Sequence, residues 1–291
     1  MGYGTYSSDS RSVRATSLGY TTKSAHEIFK SRSINNAMNP NGIVVRESRD
    51  SKKHPNALPI IIALDVTGSM GTVPHQLVKD GLPTLVTEVI KNGQPDPQIL
   101  FLAIGDHECD NSPLQVGQFE SSDELLDKWL TDVYLEGGGG GNGGESYLLA
   151  WYFAGYHTVT DNFEKRKEKG FLFTIGDEPT LRNIPKRGIS EIMGDGQYED
   201  FSAAALLDKA KETYNVYHLH IKQTGAGQRE STIRGWRELM GENLVVIERH
   251  TDVANAIAQI VTEHCKKPKV SKSKESKKEE KVKEDSSEII L

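Results

Sequence analysis

The sequence predicts an α/β fold, a doubly wound and mostly parallel central sheet flanked by helices. Strand-like runs recur along the chain at 58–65, 98–105, 171–175, 214–221 and 243–248. Stretches of helical periodicity lie between them, and such alternation implies βαβ units. The first run, Leu58-Pro-Ile-Ile-Ile-Ala-Leu-Asp65, is too short for a helix of ordinary length and rich in isoleucine. It reads as a parallel strand covered on both faces.

Each remaining element has its own signal. Residues 73–92 carry apolar positions at helical spacing, with Pro83 as an expected kink. A weaker strand is expected at 115–119. The helix at 121–133 opens on Ser121-Ser-Asp-Glu124, a capping-box pattern. Glu145 to His157 is apolar on most sides, which predicts a buried helix. Helices at 201–214, 230–240 and 252–264 complete the set. Residues 1–57, rich in Ser, Asn, Arg and Gly, are expected to form an extended or partly ordered arm with one short helix near 25–31. Residues 58–265 form the domain. Residues 266–291, nearly all Lys, Glu, Ser and Val, predict a disordered tail. Its closing Ile289-Ile290-Leu291 reads as plain solvated tail or as a docking peptide.

The 291 residues, 36% hydrophobic, suffice for one sizeable core. The net charge of −6 hides an asymmetry: residues 1–58 carry +5 and residues 266–291 carry +3, so the middle of the chain carries −14. An acidic domain disfavours nucleic acid and suits a cation. Two cysteines, Cys109 and Cys265, make neither a disulfide framework nor a zinc cluster, which points to a reducing, cytoplasmic setting. No run approaches the roughly 18 apolar residues of a membrane span. The first residues hold no signal-peptide core, and Tyr6 stands where a myristoylation signal needs Ser or Thr.

Asp65, Thr67 and Ser69 sit at a spacing of two where the first strand ends. Open α/β sheets bind ligands at that end. Two readings fit: a helix cap with turn hydroxyls, or hard oxygen donors for Mg²⁺ or Mn²⁺. The run Glu136-Gly-Gly-Gly-Gly-Gly-Asn142-Gly-Gly-Glu145-Ser146 permits close backbone approach. It lacks the lysine of a P-loop and a clear preceding strand, so it is not a phosphate cradle. Asp177, in Gly176-Asp-Glu-Pro179, follows another central strand on the same rim. Three such loops are what a shared divalent site requires.

These motifs give a specific resemblance. Asp65-Val-Thr67-Gly-Ser69 resembles the first loop of the metal-ion-dependent adhesion site of von Willebrand factor A domains. Gly139-Gly-Gly-Asn142-Gly-Gly-Glu145 resembles the glycine-rich second loop of the integrin-β-like and α-kinase-associated versions, in which a Glu replaces the usual Thr. Asp106-His-Glu-Cys-Asp110 and Asp177-Glu-Pro179 match the Asp-His-x-Asp and Asp-x-Pro patterns of the α-kinase-associated domains. The resemblance covers residues 58–265 and leaves no room for a kinase domain.

It implies a Rossmann-like A domain. Thr67, Ser69 and Glu145 would bind the ion directly, and Asp65 and Asp177 through water. Asn142 stands where relatives often have a carboxylate. Asp106 and Asp110 would hold a second cation or anchor their loop. The open metal position would take an Asp or Glu from a protein partner, making the chain an adaptor or assembly factor. An AAA+ ATPase of the MoxR type is the partner class that microbial A domains suggest. Two alternatives stay open. One is a scaffold binding through arm and tail; the other is a metal-dependent hydrolase using His75 or His107, both expected on loops. His218 and His220, in a strand, read as structural or solvent-facing.

Overall fold

The computed structural model describes residues 4–20, 22–77, 81–94, 96–135 and 141–266. The tail from Lys267, the glycines at 137–140 and the first three residues lie outside these, as do the expectations attached to them. In chain order the elements are α1 (Ser8–Leu18), α2 (Ala25–Ile28), β1 (Arg46–Ser48), β2 (Leu58–Asp65), α3 (Val73–Gln76), α4 (Leu82–Lys91), β3 (Pro97–Ile104), β4 (Leu114–Val116), α5 (Asp123–Thr131), α6 (Leu148–Tyr156), β5 (Thr158–Thr160), α7 (Asp161–Arg166), β6 (Gly170–Gly176), β7 (Asn183–Ile184), α8 (Lys186–Met193), β8 (Phe201–Ser202), α9 (Ala203–Thr213), β9 (Tyr214–Ile221), α10 (Glu230–Met240), β10 (Leu244–Ile247) and α11 (Val253–Lys266).

The main sheet has the strand order β10-β9-β6-β2-β3-β4, with only β4 antiparallel. Every residue of β2, β3 and β6 is buried. Side chains of β2 point alternately to two cores. Ile60, Ile62 and Leu64 join α4, α5 and α11 on one face. Ile61 and Ala63 join α6, α8, α9 and α10 on the other. Helix α6 is buried at each residue from Leu148 to Ala154, because it lies between the sheet and α9. Among the described residues no helix is long and apolar enough to cross a membrane.

Two expectations need correction. Within the helix expected at 73–92 the described residues form α3 and α4, and Pro83 lies in the first turn of α4. Proline is well placed there, where a missing N–H leaves no intrahelical bond unmade. The cap of α5 is Ser122, whose hydroxyl accepts from Leu125 N, so the cap falls one residue after the expected Ser121 and Glu124 does not close a box with it. The strand at 115–119 shortens to three residues, Leu114–Val116, at the sheet edge.

The arm packs onto the domain. Helix α1 is capped by Ser7 at one end and by Gly19 at the other, where φ of 69° suits glycine. It presents no apolar stripe and is held by charge. Arg11 Nε lies 3.1 Å from Asp127 Oδ1, with both side chains under 5% exposed. Arg14 bridges Asp123 and Asp127. Further along, Tyr20, Ile28, Phe29 and Met38 enter the core beside α4 and α5. Strand β1 pairs in parallel with β5, and Asp50 accepts from Arg166 at 2.8 Å.

Arg11→Ala leaves Asp127 with only Arg14 in a buried setting. We expect a loss of about 3 kcal/mol in urea unfolding, the usual scale for breaking a buried pair from one side. A loss below about 1 kcal/mol would mean that apolar contacts alone hold the arm.

Candidate metal centre

β2 lies between β3 and β6, so the loops leaving these three strands meet on one rim. Residues 145–146, just ahead of α6, clasp two of those loops. Glu145 N donates to Pro179 O at 2.9 Å, and Leu181 N donates back to Glu145 O at 2.9 Å. On the other side Ser146 N donates to Gly105 O at 3.0 Å, and Ser146 Oγ accepts from His107 N at 2.9 Å. A Cβ on Gly144 would come within 3.1 Å of Pro179 O, so the close approach depends on glycine.

Asp65 is fully buried. Its Oδ1 accepts from Thr67 N at 2.9 Å and from Thr67 Oγ1 at 2.6 Å. Its Oδ2 accepts from Tyr147 Oη at 2.6 Å. Ser69 Oγ donates to Asp177 Oδ1 at 2.8 Å and lies 3.3 Å from Thr67 Oγ1. The five residues Asp65, Thr67, Ser69, Glu145 and Asp177 thus share one rim, contributed by three loops.

Among the described residues, two buried oxygens there have no hydrogen-bond partner, Glu145 Oε2 and Asp177 Oδ2. Burial pushes the Asp65 carboxyl up to about 7, with the charge of Asp177 adding to it. Burial pushes Glu145 up to about 9, helped by Asp65, Asp106 and Asp110. Buried carboxylates crowded without a cation hold protons instead. A cation would reverse that preference. Among the described residues no three His, Cys, Asp or Glu side chains form a metal cluster by themselves. The Thr67 and Ser69 hydroxyls stand against Asp65 and Asp177, and such oxygen donors would suit a hard cation.

Asp106 and Asp110 bond within their own loop. Asp106 Oδ1 accepts from Glu108 N at 2.9 Å, and Asp110 Oδ2 accepts from Asp106 N at 2.8 Å. Asn142 Nδ2 donates to Asp106 Oδ2 at 2.7 Å and to Glu108 Oε2 at 2.9 Å, tying the glycine loop to the loop after β3. His107 is on that loop and half-buried, and burial lowers its pKa. Its Nδ1 is 2.7 Å from Ser146 Oγ. His75 lies on α3 and is buried, not on a loop as expected.

His218 and His220 are both buried, which removes the solvent-facing alternative. His218 stacks on Trp236 with ring centroids 3.5 Å apart, and His220 Nε2 is 2.8 Å from Gly227 O. Trp236 in turn donates to Glu178 O at 3.0 Å, and Arg229 pairs with Glu178 Oε1 at 2.6 Å. This aromatic floor holds the loop that carries Asp177.

The sequence reading missed Tyr147 and Gly176. A Cβ on Gly176 would fall 1.7 Å from Tyr147 Oη. The glycine makes room for the hydroxyl that reaches Asp65. The only signal was position: Tyr147 directly follows Glu145-Ser146, and Gly176 directly precedes Asp177.

No protein-family model matches the chain, and no curated protein matches it. Solved structures that align with it include the pilus adhesin SpaC of Lactobacillus rhamnosus GG in its open conformation, at 8% identity over 74% of this chain and 31% of that one, with a TM-score of 0.47. Another is proximal thread matrix protein 1 of the mussel byssus with a zinc-occupied MIDAS motif, at 14% identity over 72% of this chain and 48% of that one, with a TM-score of 0.44. The chain spans about a third to a half of the length of these proteins.

Two outcomes follow from the geometry. Tyr147→Phe leaves a buried Asp65 oxygen unpaired and should lower stability by about 2 kcal/mol. Gly176→Ala drives a methyl into Tyr147 and should lower it by about 3 kcal/mol, measured by urea unfolding. If Gly176→Ala is neutral, the contact is not the constraint it is taken to be. The second outcome concerns pH. Asp65 and Glu145 have raised folded pKa values, so between about 4 and their folded values the folded state holds protons that the unfolded state releases. The stability they contribute is complete below the unfolded values and is lost as pH rises through about 7 for Asp65 and about 9 for Glu145. In EDTA the melting temperature should therefore fall from pH 5 to pH 9, and Glu145→Gln should flatten the upper part of that slope. An unchanged slope in the variant would show that Glu145 is ionised throughout.

Proposed function

We propose that the chain binds a divalent cation of the Mg²⁺ or Mn²⁺ class through Asp65, Thr67, Ser69, Glu145 and Asp177, and that it presents the ion to a carboxylate of a protein partner. The observation that carries this reading is the pair of buried, partnerless oxygens, Glu145 Oε2 and Asp177 Oδ2, on separate loops of one rim. Buried polar groups in folded proteins find partners, and an orphaned pair demands an explanation. A cation supplies it, and the oxygen-only donor set favours a hard ion. The ion's own contribution would be an electrophilic coordination position able to accept an outside carboxylate.

On this reading the chain is an adaptor or assembly factor. The resemblance of its loops to the adhesion site of von Willebrand factor A domains supports that role, and the same resemblance points to an AAA+ ATPase of the MoxR type as a candidate partner. A cytoplasmic setting accords with Cys109 and Cys265 forming no disulfide.

Isothermal titration of the full chain with MgCl₂ tests the ion. Asp65 is knitted to Tyr147 and Thr67, so Asp65→Asn is a gentler probe than Asp65→Ala. Glu145→Gln keeps the side-chain shape and removes its charge. Each should weaken Mg²⁺ at least about tenfold to a hundredfold while the far-ultraviolet circular dichroism stays unchanged. A pull-down read by mass spectrometry, with and without EDTA, tests the use of the ion. Partners that stay bound in EDTA and to both variants would point instead to a scaffold acting through its arm and tail.

A further inference from the structure

Three Asn-Gly pairs stand in the chain, Asn41-Gly42, Asn92-Gly93 and Asn142-Gly143. In such a pair the glycine amide can attack the side chain before it, because no Cβ obstructs the approach. All three asparagines are exposed. What separates them is the amide that would attack. Gly42 N donates to Met193 O at 3.0 Å, and Gly93 N donates to Ile90 O at 3.0 Å. Among the described residues the Gly143 amide donates to no acceptor.

The surroundings differ in the same sense. Asn41 Oδ1 packs against Gly194, where an added Cβ would fall 2.6 Å from it. Asn92 caps the end of α4, and its Nδ2 donates to Glu88 O at 2.7 Å. Asn142 has glycine on both sides, Gly141 with φ of 67° and Gly143 with φ of 79°. A Cβ on either would meet nothing within 4 Å, so the backbone has room to turn toward the side chain. The Asn142 side chain is held through its nitrogen, which donates to Asp106 Oδ2 at 2.7 Å and to Glu108 Oε2 at 2.9 Å.

We propose that Asn142 is a site of spontaneous deamidation, and that the conversion cuts the tie between the glycine loop and the loop after β3. Gly143 N attacks Asn142 Cγ. The N–Cγ bond forms, the Cγ–Nδ2 bond breaks, and Nδ2 leaves as ammonia with the proton that Gly143 N gives up. Water then opens the cyclic imide, giving aspartate by attack at Cγ or isoaspartate by attack at the backbone carbonyl of residue 142. Either product loses the donor that bridged two carboxylates and gains a carboxylate of its own, so attraction becomes repulsion. The change runs one way and adds negative charge three residues before Glu145. The inference stands apart from the metal reading, since no ion takes part in it.

The test is incubation of the full chain in mildly alkaline buffer, with peptide mass spectrometry at all three sites. Asn142 should convert at least about fivefold faster than Asn41 or Asn92, the scale of the one backbone hydrogen bond that restrains the other two amides. In urea the three rates should converge, because only the fold separates identical dipeptides. Equal rates in the native chain overturn the proposal, as does an order that persists in urea. Asn142→Asp tests the consequence. Hydrogen exchange at the Glu145 and Ser146 amides, which bond Pro179 O and Gly105 O, should quicken at least about tenfold, the scale of a lost charge-assisted bond. Exchange that stays as in the parent chain, or that quickens equally in Asn92→Asp, overturns the claim that the tie is cut.

Discussion

Asp65 is a carboxylate at the end of a strand buried on both faces, and much of the candidate site answers to that placement. Desolvation alone would make its charge prohibitive. The structure supplies three donors, the Thr67 amide, the Thr67 hydroxyl and the Tyr147 hydroxyl. Each donor imposes a demand elsewhere. Thr67 must turn back on Asp65, which brings Ser69 against Asp177. Tyr147 must reach under the rim, which requires a residue without Cβ at position 176. Tyr147 in turn sits at the start of α6, so the helix has to be buried beside β2. The donors do not neutralise the rim, and Asp65 and Glu145 remain shifted toward their protonated forms.

The rim and the arm solve different problems with similar chemistry. At the rim, carboxylates gather from several loops and lack a cation. At the arm, the carboxylates of Asp123 and Asp127 meet the guanidinium groups of Arg11 and Arg14. The first arrangement leaves orphaned oxygens and the second does not. What sets Glu145 and Asp177 apart is that their orphaned oxygens belong to separate loops of one rim.

Much of the sheet was legible because its signal is local. β2 and β9 begin and end where their apolar runs do, at Leu58–Asp65 and Tyr214–Ile221. α10 follows the expected 230–240 span. Helix α1 went unread because its sequence, Ser-Asp-Ser-Arg-Ser-Val-Arg-Ala-Thr-Ser-Leu, has no apolar face. Its stability comes from ion pairs with residues more than a hundred positions away, which no window of sequence contains. Its caps, Ser7 and Gly19, were visible but are weak signals without a stripe between them. α7, α8 and the small strands β1, β5, β7 and β8 were missed because each is short, and β1 and β5 also depend on pairing across more than a hundred residues.

The sequence by itself determined the alternation of strand and helix, the buried character of β2 and α6, and the oxygen-bearing residues that stand at strand ends. Those follow from side-chain periodicity and from where an apolar run stops. Only the tertiary structure decided which of those residues meet. It placed Ser69 on Asp177, Tyr147 on Asp65 and Asn142 on Asp106, and it left Glu145 Oε2 and Asp177 Oδ2 without partners. It also decided that His218 and His220 are interior, because α10 lays Trp236 over the strand. Such contacts depend on the order of strands in the sheet, which is set by packing across the whole domain and is not encoded at any single position.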